Sequence, residues 1–293
     1  MKIKPSNRKR ILRWLVILIV LAVVGLYLLM PIGFGIAVVF PHRQDVGAPP
    51  DGFEAVTLEA PDGVELAGWY APPANGAVII LMHGANGSRE SVRGYATMLI
   101  EHGYGVLAVD LRGHGESDGT TNRFGWQGTE DVGAAVGFLQ ARDEVEVIGG
   151  LGLSLGGEVL LGAASEYPEL AAIAADGATQ RSVEELRALP SERPLYRNFT
   201  ARVMYATVQL ITGDDPPKPL LNSIIEAEWT EILLIAGGSE ALEVDFNELF
   251  AETVGERAAL WVAPDASHTG SFRRYPDEYE QRVIAFFDAA LLS

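Results

Sequence analysis

The chain of 293 residues contains no cysteine. Disulfide frameworks, thiolate metal sites and thiol catalysis are therefore excluded, and redox chemistry gives no reading of the compartment. Histidine is scarce, five in all, so each imidazole that could serve as a base can be weighed individually. The sequence has no internal repeat and no low-complexity tract. Basic residues are in deficit, with 22 Lys and Arg against 39 Asp and Glu and a net charge of −17. Nucleic-acid binding needs a basic face over the phosphates, and this balance argues against it.

Charge is missing altogether from residues 14–40, WLVILIVLAVVGLYLLMPIGFGIAVVF. About 20 such residues cross the ~30 Å hydrocarbon core as a helix. Lys2, Lys4, Arg8, Lys9, Arg10 and Arg13 precede the stretch with no acid among them. The positive-inside rule makes residues 1–13 a basic cytoplasmic tail, 14–40 a single-pass transmembrane anchor in the cell membrane and 41–52 a linker. Residues 53–293 are then an extracytoplasmic domain. A cleaved signal peptide is the alternative, since GIA at 35–37 resembles a small-x-small site, but the apolar stretch exceeds an h-region of roughly 7–15 residues. A buried helix of a soluble domain fits poorly, because Pro31, Gly33 and Gly35 are expected to break it beyond residue 30.

Beyond the linker, two alternating runs flank Asp62-Gly63, the signature of a hairpin. Buried-strand runs then alternate with helical patterns: AVIILMHG, a helix over about 88–102, GYGVLAVDLRG, GTEDVGAAVGFLQARD, VEVIGGLGL and a helix towards Tyr167. LAAIAADGA, ILLIAGG and AALWVAPD are further strands, and PDEYEQRVIAFFDAALL is a closing amphipathic helix. The alternation predicts an α/β domain with a mostly parallel sheet covered on both faces. Residues 179–229 interrupt it over a length far beyond an ordinary connection and are expected to form a small helical cap.

Two serines sit in G-x-S-x-G, Ser117 and Ser154. A serine hydroxyl attacks only when a base stands beside it and fixed donors meet the oxyanion. Ser154 lies between the strand run VIGGLGL and the helical LGGEVLLGAASEY, the strand-turn-helix context of a nucleophile elbow. Ser117 has turn chemistry on both sides and is expected to be a structural loop residue. The backbone N–H groups of Ala85, after HG at the end of the first parallel strand, and of Leu155 are the candidate oxyanion donors.

Among the histidines, His42 sits beside the anchor, His83 suits a core position, His102 ends a helix and His114 lies in an arginine-glycine loop. His268, in PDASHTGSF after the final strand, is the candidate base, because the order Ser, acid, His ends there. The acid belongs after ILLIAGG, where Glu240 comes first. Asp245 is the alternative, and Asp176 trails both.

With HGANGSRES, YATMLIEHGYGVLAVDLRGHGESDG, GLGLSLGG, LLIAGGSEAL and APDASHTG in this order, the chain resembles the α/β-hydrolase superfamily. The likeness is to its branch of bacterial serine esterases, lysophospholipase-like and acylglycerol-lipase-like enzymes. That resemblance implies an α/β-hydrolase fold, Ser154 as nucleophile, His268 as base, Ala85 and Leu155 as oxyanion donors, and structural roles for Asp110 and Arg112. It departs from many relatives in carrying Glu240 where they have Asp, and in its anchor. The function expected is hydrolysis of lipid-like or small carboxylic esters through an acyl-enzyme, with no metal and no organic cofactor. Thioesterase, acyltransferase or peptidase chemistry on the same residues, or a non-catalytic anchored binding module, are the alternatives. Trp126, Phe199, Tyr205 and Trp229 either line an acyl pocket under the cap or serve as packing.

Overall fold

A computed structural model describes residues 5–40, 43–189 and 194–293; His42 lies outside them. The apolar N-terminal segment is helical throughout, as α1 (Pro5–Val24), a π-helical turn (Gly25–Leu29) and α2 (Met30–Val39). The break expected at Pro31 does not occur. Pro31 falls in the first turn of α2, where a missing N–H is tolerated, and the π turn before it takes up the change of register. By length and composition, Arg8–Val39 can cross a membrane, and its most apolar window is only 6% buried.

Strands β1 (Glu54–Glu59) and β2 (Glu65–Ala71) form the expected hairpin around Asp62-Gly63. The remaining strands are β3 (Ala77–Met82), β4 (Gly105–Val109), β5 (Val147–Leu153), β6 (Leu170–Asp176), β7 (Glu231–Gly237) and β8 (Ala258–Ala263). They make one eight-stranded sheet of order β1-β2-β4-β3-β5-β6-β7-β8, in which only the pairings of β2 are antiparallel. β3 and β4 are buried along their whole length, as their unbroken apolar runs require of strands covered on both faces.

The helices are α3 (Arg93–Glu101), α4 (Gly128–Gln140), α5 (Leu155–Ala163), α6 (Val183–Ala188), α7 (Leu195–Thr212), α8 (Leu220–Glu226), α9 (Ala241–Val254), α10 (Ser271–Arg274) and α11 (Pro276–Leu291). The sheet separates two cores. On one face Val132, Leu160 and Phe246 pack from α4, α5 and α9; on the other Leu99 and Phe287 pack from α3 and α11. Helices α6, α7 and α8 fall between β6 and β7, the interval expected to hold the cap. This insertion leaves the sheet at the carboxyl end of β6, one strand away from the carboxyl end of β5 where Ser154 stands.

Candidate active site

Ser154 closes β5 and opens α5 with φ 50° and ψ −115°. A positive φ on a non-glycine residue costs about 1–3 kcal/mol and persists only where its surroundings over-determine it. Here the surroundings are a turn with no room for side chains. A Cβ on Gly156 would stand 2.5 Å from the Met82 carbonyl oxygen, and one on Gly152 would stand 2.4 Å from the Gly156 backbone. The Ser154 N–H is held by the Asp176 carbonyl at 2.7 Å, which ties the elbow to β6. The turn thus lifts the hydroxyl off the end of the strand and into an open cleft.

In that cleft Ser154 Oγ lies 2.8 Å from His268 Nε2, and His268 Nδ1 lies 2.5 Å from Glu243 Oε2. The other Glu243 oxygen accepts the Gly237 N–H at 2.5 Å, so the carboxylate is anchored to the end of β7. Glu243 is 2% exposed, whereas the imidazole side chain is 47% exposed and faces the cleft. Hydrogen bonding to Glu243 raises the His268 pKa above its ordinary 6.5, against the opposing effect of burial. Gly177, at φ +78°, makes room for the ring: a Cβ there would stand 3.0 Å from His268 Cε1.

The cleft has a volume of about 410 Å³ and is lined by Gly84, Ala85, Asn86, Ser91, Tyr95 and Thr269 beside Ser154 and His268. Leu155 opens α5, so its N–H is among those that every helix start leaves without an intrahelical acceptor. No backbone acceptor takes the N–H of Ala85 or Leu155 among the described residues. The Ala85 carbonyl is held by His114 Nε2 at 2.6 Å, and the His83 and His114 rings meet edge to face at 4.8 Å. His83 Nδ1 donates to the Gly84 carbonyl at 2.7 Å while Nε2 accepts the Leu111 N–H at 3.1 Å, which defines its neutral tautomer. Burial pushes its pKa down to about 3, so this ring stays neutral and props the loop.

The remaining candidates separate by their bonds. Ser117 is buried, donates to the Asp110 carbonyl at 2.6 Å and accepts the Ala67 N–H at 2.9 Å. Asp110 binds the Arg89 guanidinium, and Arg112 bonds Asp131 and Asp62, each at 2.7 Å. These groups staple the loop after β4 to its neighbours. His102 pairs with Glu280 at 2.8 Å on the outer surface. Asp176 is buried, and burial with the nearby Glu243 charge pushes its carboxyl up to about 7. Its backbone, through Ser154, is what serves the site.

Comparison with known proteins agrees with this architecture. A family model described as serine aminopeptidase, S33, matches residues 73–213. An esterase of Pyrococcus furiosus, Pf2001, superposes with a TM-score of 0.69 at 26% identity, over 86% of this chain and 98% of that one. The chain is an α/β-hydrolase. This hydrolase is also 28% identical to the uncharacterized protein YfhR of Salmonella typhi, over 98% of each chain. With the thiohydrolase aneE of Aspergillus aculeatus the identity is 35%, over 35% of the hydrolase and 34% of its relative.

The structure brings Ser154, His268, Ala85 and Leu155 of the sequence-predicted set to one cleft. Glu240 is not with them, and this corrects the expectation for the acid. It is the exposed N-cap residue of α9, a turn too early to reach the imidazole, and Asp245 is half-buried on another side of the helix. Glu243 meets His268 instead. The signal was present in the helical period: Glu243, Phe246, Asn247 and Phe250 make the buried stripe of α9 in this hydrolase. Order along the chain after β7 does not reveal which face of α9 each acid occupies. Of the four aromatics, Trp126 and Tyr205 are buried and stack at 6.4 Å, Tyr205 also lining a cavity between α2 and α7, while Phe199 and Trp229 are about half exposed.

Proposed function

We propose that this α/β-hydrolase is a membrane-anchored serine hydrolase that cleaves carboxylic esters. The observation that carries the reading is the unbroken relay from Ser154 Oγ through His268 to the buried Glu243. Glu243 fixes the proton on Nδ1, leaving Nε2 free to accept one. Ser154 Oγ attacks the ester carbonyl as its proton passes to His268 Nε2, and the oxyanion is received by the Ala85 and Leu155 N–H groups. Collapse expels the alcohol, which takes the proton from His268. A water molecule then gives a proton to His268 and attacks the acyl group on Ser154. The carboxylic acid leaves and the Ser154 hydroxyl is restored.

The ester reading draws support from the structural likeness to Pf2001, an esterase of Pyrococcus furiosus. A thioester substrate is the second reading, favoured by the likeness to a thiohydrolase over about a third of the chain. The same relay serves both. The test is fluorophosphonate labelling together with hydrolysis of p-nitrophenyl esters and acyl-thioesters by the full-length protein. Labelling and turnover that vanish in Ser154→Ala are expected; a folded wild-type protein that neither labels nor turns over either class would overturn the reading.

A further inference from the structure

Pro31, Gly35 and Val39 form a buried stripe along α2, and the helix they face is α7 of the cap. The approach is close: a Cβ on Gly35 would stand 3.0 Å from the Met204 carbonyl oxygen. Eight residues earlier, the Tyr27 ring meets Tyr196 edge to face at 6.0 Å. Both sequences advance together, so α7 runs parallel to the anchor, with its first turn pointing back along it and away from the sheet. Tyr27 lies 12 positions before Val39, roughly 18 Å up the helix at ~1.5 Å per residue. The first turn of α7 is correspondingly raised. It exposes Leu195 at 87%, Tyr196 at 49% and Phe199 at 50%. If the ~20 residues needed to span begin at Trp14, Met30–Phe34 lies at the outer interface, and this tip, with Arg197 among its aromatic and aliphatic side chains, reaches it.

Between the two helices is a cavity of about 440 Å³. Its walls are Met30, Pro31 and Phe34 from the anchor, and Ala201 and Met204 from α7, with Leu242 from α9. That volume is ordinary for a small-molecule site, about 300–1,000 Å³, and the lining is mainly apolar, with Gln180, Arg197 and Thr200 as its polar members. At the inner side are Leu242, which precedes Glu243, and Gln180, which follows Thr179, the residue bonded to Glu158 of α5. One wall of the cavity is thus the anchor itself, and other lining residues adjoin the catalytic cleft in sequence.

Resting on the serine-hydrolase reading above, we propose that this cavity is an acyl-chain slot, and that the substrate is a membrane-resident lipid ester whose fatty chain enters sideways from the bilayer. The occupant is a hydrocarbon chain because the helix that forms one wall continues into an exposed apolar stretch long enough to cross a membrane, and because Leu195, Tyr196 and Phe199 surround Arg197 at the raised tip of α7, an apolar cluster with one cation suited to a headgroup. The chain leaves the bilayer without crossing water.

The test uses the full-length protein in phosphatidylcholine nanodiscs. Ala201→Trp fills the slot; Leu210→Ser, on an 87% exposed position further along α7, is the control. The ratio of kcat/KM for p-nitrophenyl palmitate to that for p-nitrophenyl acetate is expected to fall at least tenfold in Ala201→Trp and to stay within twofold in the control. An unchanged ratio in an Ala201→Trp protein that still labels with fluorophosphonate overturns the slot. Phosphatidylcholine carrying a diazirine acyl chain gives a readout independent of folding in the variant: photolabel in wild type is expected on residues 30–34 and 200–205, and label confined elsewhere also overturns it. If wild-type protein neither labels with fluorophosphonate nor cleaves any ester, the serine-hydrolase reading fails, while the photolabel still reports on the slot.

Discussion

Replacing Glu243 by glutamine preserves shape and burial but removes the charge that meets His268 Nδ1 and the acceptor that selects its tautomer. A loss of about 10⁴ in kcat is expected, by analogy with other triads whose carboxylate becomes an amide. Glu240→Gln, at the exposed start of α9, should leave kcat within twofold, and steady-state kinetics of the two variants side by side separate the assignments. Ser154→Ala is expected to lower kcat by ~10⁴ or more and to abolish fluorophosphonate labelling. The pH dependence follows from the same bond. His268 acts as a base only when neutral, and Glu243 raises its pKa above 6.5, so activity rises with pH through a value above 6.5. In Glu243→Gln the acid limb of kcat/KM should move downward, and a limb that stays in place would detach Glu243 from the base. The stability contributed by the raised pKa has the opposite sense: it is full below about 6.5 and is lost as pH rises through the folded-state value.

At the scale of elements, the elbow is an object of backbone packing. A Cβ at Gly156 has the Met82 and His83 carbonyl oxygens at 2.5 Å and 2.8 Å and no flexible side chain to displace. Gly156→Ala is therefore expected to cost about 1–3 kcal/mol in denaturant unfolding and to suppress fluorophosphonate labelling by moving the hydroxyl. A variant with wild-type stability and labelling would show the turn to be slack. Elements of this kind were legible in the sequence because they are local: VIGGLGL before Ser154 and a helical pattern after it mark strand, turn and helix within sixteen residues. The hairpin at Asp62-Gly63 was legible for the same reason. Glu243 is not singled out by the sequence, since Glu240, Glu243 and Asp245 fall within six residues and only the facing of α9 against the sheet distinguishes them. The pairing of α2 with α7 joins segments some 170 positions apart through a glycine in an apolar run, and no local pattern announces such a contact.

For the whole molecule, the N-terminal apolar helix and the α/β body form one packed unit. Val39 is buried in the core cluster that also holds Leu155 and Val159, and its carbonyl accepts the Asn122 N–H at 3.2 Å. Arg43, just past the N-terminal helix, donates to the carbonyls of Gly115 and Ser117 at 3.0 Å and 2.6 Å. Cleavage at GIA, residues 35–37, would cut inside α2 where Gly35 packs on α7, and would strip one wall from the cavity. Retention of the segment is thus expected on packing grounds as well as on length. The body is strongly acidic, the chain totalling −17 despite its basic tail, so the proposed lipid substrate is expected to be cleaved more slowly as anionic lipid is added to the vesicle. In cells the protein should run at full length, resist alkaline carbonate extraction and, with the basic tail inside, lose residues 53–293 to protease added from outside. Full protection of the domain in intact cells, with digestion only after lysis, would reverse the orientation; recovery of a shortened chain in the soluble fraction would replace the anchor by a cleaved signal.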